Sequence, residues 1–360
     1  MQLRFFTMPM HPLGKDWLQS LAEDREAFIL ADELAFTEGY CGEHLTDPEE
    51  NITSSVMFIA SLAHATRRIR LGTGTVNMPN HHPVNLAASL ARLDHMLGGR
   101  FILGTSPGAL PSDADADRPA MFLEAVNHLL AIWRGEAPCN LKGEFWNVST
   151  ARTHLPETGM GIIPRPRQPP HPPIVVTAVA PFSQGATEAA ARGWDPISAN
   201  FRMPVWLKSH WQKYVEGCGR AGRAANPANW RIAKTICVAE DDATARRYAT
   251  DPGSPYRCYY NSLFKKLKRR GALGVFKTRR DQPDDEVTLD DVSEQLIIHG
   301  SPQRGAGQVL ALREQTGAFG TLLYAGMGWK DRELGRKSMI LLAEKVRTLL
   351  QAALPTQVAA

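Results

Sequence analysis

Four short clusters in this 360-residue sequence carry residue types able to do chemistry. Gly42-Glu43-His44 ends in a histidine, whose imidazole exchanges protons near neutral pH. Gly72-Thr73-Gly74-Thr75-Val76-Asn77 runs on through Met78 and Pro79 to His81-His82-Pro83. Its glycines permit unusual backbone angles or close approach to a flat ligand. Adjacent histidines share no helical or strand face, so His81 and His82 make a poor metal pair. Gly104-Thr105-Ser106-Pro107-Gly108 is a small polar turn. Ala180-Pro181-Phe182-Ser183-Gln184-Gly185 precedes a helical run, where amides and a serine hydroxyl can hold a phosphate. Each cluster alone also has a plain structural reading, as a surface histidine, a turn or a helix cap.

These clusters need elements to position them. Short β-like runs alternate with longer helical ones, the pattern of a parallel α/β fold. Strands are predicted at Leu3–Met8, Phe36–Gly42, Ile69–Val76, Arg100–Thr105, Pro173–Ala178, Pro196–Ser198, Ile232–Ala239 and Thr321–Ala325. Helices are predicted over about Trp17–Leu34, Val56–Ala65, Pro83–Leu97, Met121–Trp133 and Thr187–Arg192. Eight strands close a barrel, so the expected fold is a single (β/α)8 TIM barrel over 1–360; an open doubly wound sheet is the rival. The Pro-rich passage ending Pro169-Pro170 excludes helix and central strand. The polar segment 251–291 reads as an insertion in a late barrel loop, helical near Tyr259–Leu267 and of the kind that often forms a mobile lid. Its cations, Lys265 to Arg280, read as a solvated face, with attraction of an anionic ligand as the other reading. Three of the four clusters fall at strand C-terminal ends, where a barrel places its active site.

Composition narrows the function. The formal charge is +4, from 41 basic and 37 acidic residues, which gives no general argument for nucleic acid or a membrane. Five cysteines without a Cys-x-x-Cys pair favour reduced thiols over disulfides or zinc. The N-terminal residues show no signal-peptide pattern and no run reaches membrane-spanning length, so a cytoplasmic protein is expected.

Taken in order, the segments resemble the bacterial luciferase-like family. The likeness rests on Gly42-Glu43-His44, Ile69-Arg70-Leu71-Gly72-Thr73-Gly74, His82-Pro83-Val84, Leu93-Asp94 and Gly99-Arg100-Phe101-Ile102-Leu103-Gly104. Ala190-Ala191-Arg192-Gly193 and Gly300-Ser301-Pro302 support it later in the chain. Within the family the sequence is similar to the limonene and diketocamphane monooxygenase branch, which uses reduced FMN (FMNH2) from a separate flavin reductase. The resemblance implies insertion of one oxygen atom from O2 into a small apolar substrate through a flavin 4a-hydroperoxide, which the protein shields from water. It implies that His44 is the active-site histidine and that Gly74-Thr75 holds a non-prolyl cis peptide beneath the isoalloxazine. It places Asn77 and Ser106 near the ring, and Ser183 with the Gln184 amide at the FMN phosphate. It also implies a homodimer paired through early barrel helices.

The sequence departs from luciferase in two places: Ser106 stands where luciferase has a reactive cysteine, and Pro107 where it has a phosphate-binding arginine. The acidic tract Asp113–Asp117 suggests a different lid over Ser112–Arg118. Met8, Met78 and Phe182 at the barrel mouth suggest an apolar pocket, although methionine is also common core filler. Two other functions stay open at this point. One is deazaflavin-dependent hydride transfer, with the basic stretch serving an acidic coenzyme tail. The other is a non-catalytic flavin-binding protein.

Overall fold

Runs rich in β-branched and aromatic residues become strands, and the longer runs between them become helices. The computed structural model describes residues 1–108, 117–328 and 330–354. Element β1 (Gln2–Thr7) leads to α1 (Trp17–Glu33), then β2 (Glu38–Cys41), α2 (Ser55–Leu62), β3 (Arg70–Thr73) and the short β4 (Val76–Asn77). After α3 (Pro83–Met96), β5 (Phe101–Ser106) and α4 (Arg118–Arg134), a small antiparallel ribbon forms from β6 (Asn140–Leu141) and β7 (Val148–Ser149). Then come β8 (Ile174–Ala178), α5 (Gln184–Ala191), β9 (Asp195–Ser198), α6 (Pro204–Arg220) and β10 (Arg231–Val238). The chain ends through α7 (Asp242–Thr250), α8 (Pro255–Arg269), α9 (Leu289–Leu296), β11 (Ile297–Gly300), α10 (Pro302–Thr316), β12 (Thr321–Ala325), α11 (Arg332–Leu341) and α12 (Arg347–Ala353).

Eight strands close in the order β1-β2-β3-β5-β8-β9-β10-β12, the (β/α)8 barrel. Two further strands attach to it. Val76 and Asn77 of β4 lie in parallel register with Thr105 and Ser106 of β5. Ile297–Gly300 of β11 pair with Thr235–Val238 of β10, the upper half of that strand. This second attachment has no counterpart among the eight strands expected from sequence, because four residues directly after a helix leave no turn signal between them.

The chain divides into two units, 1–39 with 176–360, and 40–175. In the first, Arg231 donates from Nε to Glu38 Oε2 at 2.9 Å while Arg4 Nη1 lies 2.8 Å from the same oxygen, all three side chains being buried. Two guanidiniums on one carboxylate satisfy charges that burial would otherwise make costly. Helix α6 packs closely on α5: a Cβ on Gly217 would meet the Thr187 carbonyl oxygen, so only glycine fits there.

Segment 251–291 carries the helix expected near Tyr259–Leu267, as α8, and is packed more firmly than an irregular loop. Ser254 caps α8 by accepting from the Arg257 amide at 3.1 Å, and the helix buries Tyr256, Tyr259 and Tyr260 completely or nearly so. Tyr260 and Thr235 hydroxyls are 2.8 Å apart, and Tyr256 donates to the Ile236 carbonyl at 2.9 Å. Three buried phenols with bonded hydroxyls make a packed wall rather than a loose flap.

In the second unit, residues of the resembling motifs serve the framework. Asp94, fully buried, accepts from the amide and side chain of Gln168 at 2.9 and 2.8 Å and so pins the Pro-rich passage. Arg100 donates to the carbonyls of Ile69 and Thr66 at 2.6 and 3.1 Å, gathering the turn that follows α2. No helix among the described residues is long and apolar enough to cross a membrane.

Candidate active site

The pairing of β4 with β5 brings three expected site residues together. Asn77 is the register partner of Ser106, so their side chains sit side by side. Thr75 Oγ1 donates to Ser106 Oγ at 2.7 Å, and Ser106 Oγ donates to Asn77 Oδ1 at 2.9 Å. The Gly74–Thr75 peptide is cis, and the Gly74 amide donates to the Cys41 carbonyl at 2.6 Å. Glycine is required at two neighbouring places. A Cβ on Gly104 would strike the Thr73 carbonyl oxygen, and Gly108, with φ +59°, lies where a Cβ would stand 2.7 Å from Asn77 Cγ. Thr73 uses its hydroxyl twice across the strands, donating to the Gly104 carbonyl at 2.6 Å and accepting from the Gly104 amide at 2.9 Å.

Glu43, which carries no site signal of its own in the sequence, holds this arrangement. It is 4% exposed, and its Oε1 accepts from the Asn77 amide at 2.9 Å. Its Oε2 accepts from the Ser55 amide and hydroxyl at 3.0 and 2.7 Å, and His81 Nε2 lies 3.7 Å from Oε1. Burial pushes the carboxyl up, but the bonds from His81, Asn77 and Ser55 together hold it below the ordinary value. Glu43 is therefore ionised near neutral pH and fixes the loop from Thr75 to His81. His82 caps α3 by accepting from the Val84 amide at 3.3 Å. Both histidines of the pair thus have structural partners.

His44 stands at the end of β2. Its amide donates to the Ile52 carbonyl at 3.0 Å, and its Nδ1 lies 2.9 Å from Oε2 of Glu50. The Glu50 side chain is buried while that of His44 is 40% exposed, so the carboxylate orients a ring that faces outward. A carboxylate on Nδ1 assigns the proton of the neutral ring to that nitrogen and leaves Nε2 as the acceptor. Glu50 had no sequence signal as a site residue, and Arg118 was expected only as the end of a lid. Arg118 Nη2 donates to the Pro107 carbonyl and Asn80 Oδ1 at 3.0 and 2.9 Å, tying the turn after β5 to the segment after β4. Of the lid expected over Ser112–Arg118, residues 112–116 lie outside the described residues.

Ser183 and Gln184 belong to the other unit. Ser183 is the N-cap of α5, with Oγ accepting from the Ala186 amide at 3.3 Å, and Gln184 is the first helical residue. The preceding Phe182 has φ +56°, and its amide donates to Ser209 Oγ at 3.1 Å. The Arg280 guanidinium sits 5.2 Å from the Phe182 ring centroid, which brings one cation of the basic stretch to this loop. Two other cations there are matched by carboxylates, Lys277 with Asp284 at 2.7 Å and Arg279 with Glu286 at 2.6 Å. Of the residues expected at the barrel mouth, Met8 lines a cavity, Met78 is fully buried, and Phe182 is exposed beside Arg280.

Comparison with known proteins identifies the family. The family described as luciferase-like monooxygenase matches residues 1–318. The 4-hydroxyprotoasukamycin monooxygenase of Streptomyces nodosus subsp. asukaensis is 33% identical over 95% of this chain and 90% of its own. Limonene 1,2-monooxygenase of Rhodococcus erythropolis is 27% identical over 95% of this chain and 84% of its own. The oxygenating constituent of 3,6-diketocamphane monooxygenase from Pseudomonas putida, solved in complex with FMN, superposes with a TM-score of 0.85 at 24% identity, over 96% of this chain and 97% of its own. The chain belongs to the luciferase-like monooxygenase family of flavin-dependent enzymes.

Proposed function

We propose that this protein is the oxygenase of a two-component system. It takes reduced FMN from a separate flavin reductase and uses O2 to place one oxygen atom on a small apolar organic substrate. The balance is substrate, FMNH2 and O2 giving oxygenated substrate, FMN and water. The single observation that carries this reading is the bonded chain Thr75–Ser106–Asn77 anchored on Glu43. It is a rigid polar shelf of small side chains, suited to one face of a flat ring.

Bound reduced flavin supplies the activation of O2. This chain's residues do the rest. Thr75, Asn77 and Ser106 bind and orient the ring edge. Ser183, the Gln184 amide and Arg280 hold the phosphate at the start of α5. His44, with Nδ1 on Glu50, presents Nε2 as the site that holds and returns a proton during oxygen transfer. Ser106 in place of a thiol makes its part in the site one of hydrogen bonding. Five free cysteines fit a reducing compartment, the cytoplasm. We assign a homodimer to the face of α2 and α3, where Met57 of α2 is 75% exposed and Ala60, Ala88 and Ser89 line a shared surface hollow.

The test mixes purified protein with photoreduced FMN without oxygen, then admits oxygen in a stopped-flow spectrometer. The expected result is a delay of seconds before oxidised flavin absorbs, shortened by His44→Ala. If reduced FMN fails to bind, or oxidises as it does free in buffer, the reading fails. Deazaflavin hydride transfer is then the alternative, recognised by turnover without oxygen consumption.

A further inference from the structure

The unit formed by 1–39 and 176–360 holds a cavity of about 500 Å³, none of whose lining residues is assigned to the flavin. Its wall is built from Phe5 of β1, Leu30 of α1, Tyr324 of β12 and Met339 of α11, with Met10 and Met327 from the loops after β1 and β12. The volume lies within the range that holds small organic ligands. Four of these side chains are aliphatic or thioether, and methionines adapt to ligands of different outline.

The charged groups around the cavity mostly answer one another. His11 Nε2 lies 3.1 Å from both carboxylate oxygens of Asp24, and its Nδ1 lies 3.2 Å from Lys15 Nζ. Lys15 in turn pairs with Glu23. Glu26 pairs with Arg332 and, at 3.7 Å, with Arg336. Apart from Glu333, which is exposed, an ionic ligand would have to leave water for a wall whose charged groups are already paired, whereas an uncharged apolar one gains from burial alone.

We propose that this cavity is a binding site for an uncharged, apolar small molecule. That is the chemical class of the substrate proposed above, and the site is argued from its own lining. Met10 and Met327 also belong to the buried cluster of Tyr256, Tyr259 and Tyr260, so the same methionines face the cavity and the packed wall of α8. The pairs His11–Asp24 and Lys15–Glu23 fasten the loop that carries Met8 and Met10 onto α1, which keeps the cavity's thioethers in place.

The test uses the full chain without flavin, so that its outcome is independent of the flavin reading. Cyclooctanone, cyclooctanecarboxylate and cyclooctylammonium are titrated by ligand-detected saturation-transfer NMR. Saturable binding of cyclooctanone is expected, with both ions weaker by on the order of tenfold or more. Ala27, on the cavity wall, gives the competing variants: Ala27→Phe abolishes cyclooctanone binding and Ala27→Leu weakens it. His44→Ala leaves binding unchanged. Thermal melting checks each variant, and the smaller Ala27→Leu carries the test if Ala27→Phe does not fold. No saturable binding, equal binding of the ions, or full binding in folded Ala27 variants would overturn the proposal.

Discussion

Two buried carboxylates, Glu43 in the 40–175 unit and Asp24 in the other, each lie beside a histidine yet answer burial in opposite ways. Burial raises both. At Glu43 the bonds from His81, the Asn77 amide and Ser55 more than offset it, and the group ends below its ordinary value. At Asp24 the hydrogen bond from His11 does not, and the group ends above its own. The number and fixity of donors decide the sign, since backbone amides are held by the fold while a lone imidazole is not. The difference marks two kinds of site. Around Glu43 the loops are locked so that Thr75, Asn77 and Ser106 keep one geometry. Around Asp24 a loop is fastened to a helix beside an apolar cavity.

Removing the anchor tests the first kind most severely. Glu43→Ala leaves the Ser55 amide, the Ser55 hydroxyl and the Asn77 amide without their acceptor. Stability should fall by about 3 kcal/mol or more, read by urea unfolding. Turnover should fall on the order of a hundredfold, because the Thr75–Ser106–Asn77 chain loses its fixed end. Glu43→Gln keeps one acceptor oxygen and should recover part of both. A fully active Glu43→Ala would break the contrast at its stronger side.

A smaller effect of opposite sign is expected at Lys234 on β10. It is 1% exposed, its Nζ has no hydrogen-bond partner among the described residues, and burial pushes the amine down to about 7. The unfolded chain then binds more protons than the folded one between about 7 and the ordinary 10.5, so stability should rise with pH across that window. Lys234→Met should remove that rise and stabilise the protein by about 1–4 kcal/mol at neutral pH. Melting temperatures from pH 6.5 to 10 for both proteins check the sign, and a destabilised Lys234→Met would reveal a partner for the amine.

The barrel was legible in the sequence because its strands carry β-branched runs bounded by turns, as at Ile174–Ala178 and Thr321–Ala325. The resemblance names Asn77 and Ser106 together, and the parallel register of β4 on β5 brings them side by side. Glu43 adjoins His44 in sequence but has no role legible there, because its donors lie 12 and 34 residues away and only the fold assembles them. Helix α6 escaped the periodicity reading because its buried stripe includes Ser209, His210 and Gly217, which break an apolar pattern. Segment 251–291 was read as polar from its lysines and arginines. Its packing rests on tyrosines, which a hydropathy reading counts as ambiguous.

The smallest expected effect is the most direct measure of the contrast. Glu43 has its folded value below the ordinary 4.5, so its contribution is present above that pH and is lost as pH falls through the folded value. Asp24 has its folded value above the ordinary 3.8, so its contribution is present below that pH and is lost as pH rises through the folded value. During acid unfolding the two slopes therefore oppose each other. Asp24→Asn removes the opposing slope and should move the acid midpoint upward, by about 0.3 pH unit, with neutral-pH stability changed by less than about 1 kcal/mol. Glu43→Gln should flatten the acid limb instead, since one proton fewer is taken up on unfolding. Fluorescence-monitored acid titrations of the two variants separate these outcomes. A common direction for both would mean that the histidine beside Asp24 outweighs its burial, and that both carboxylates are held in the same way.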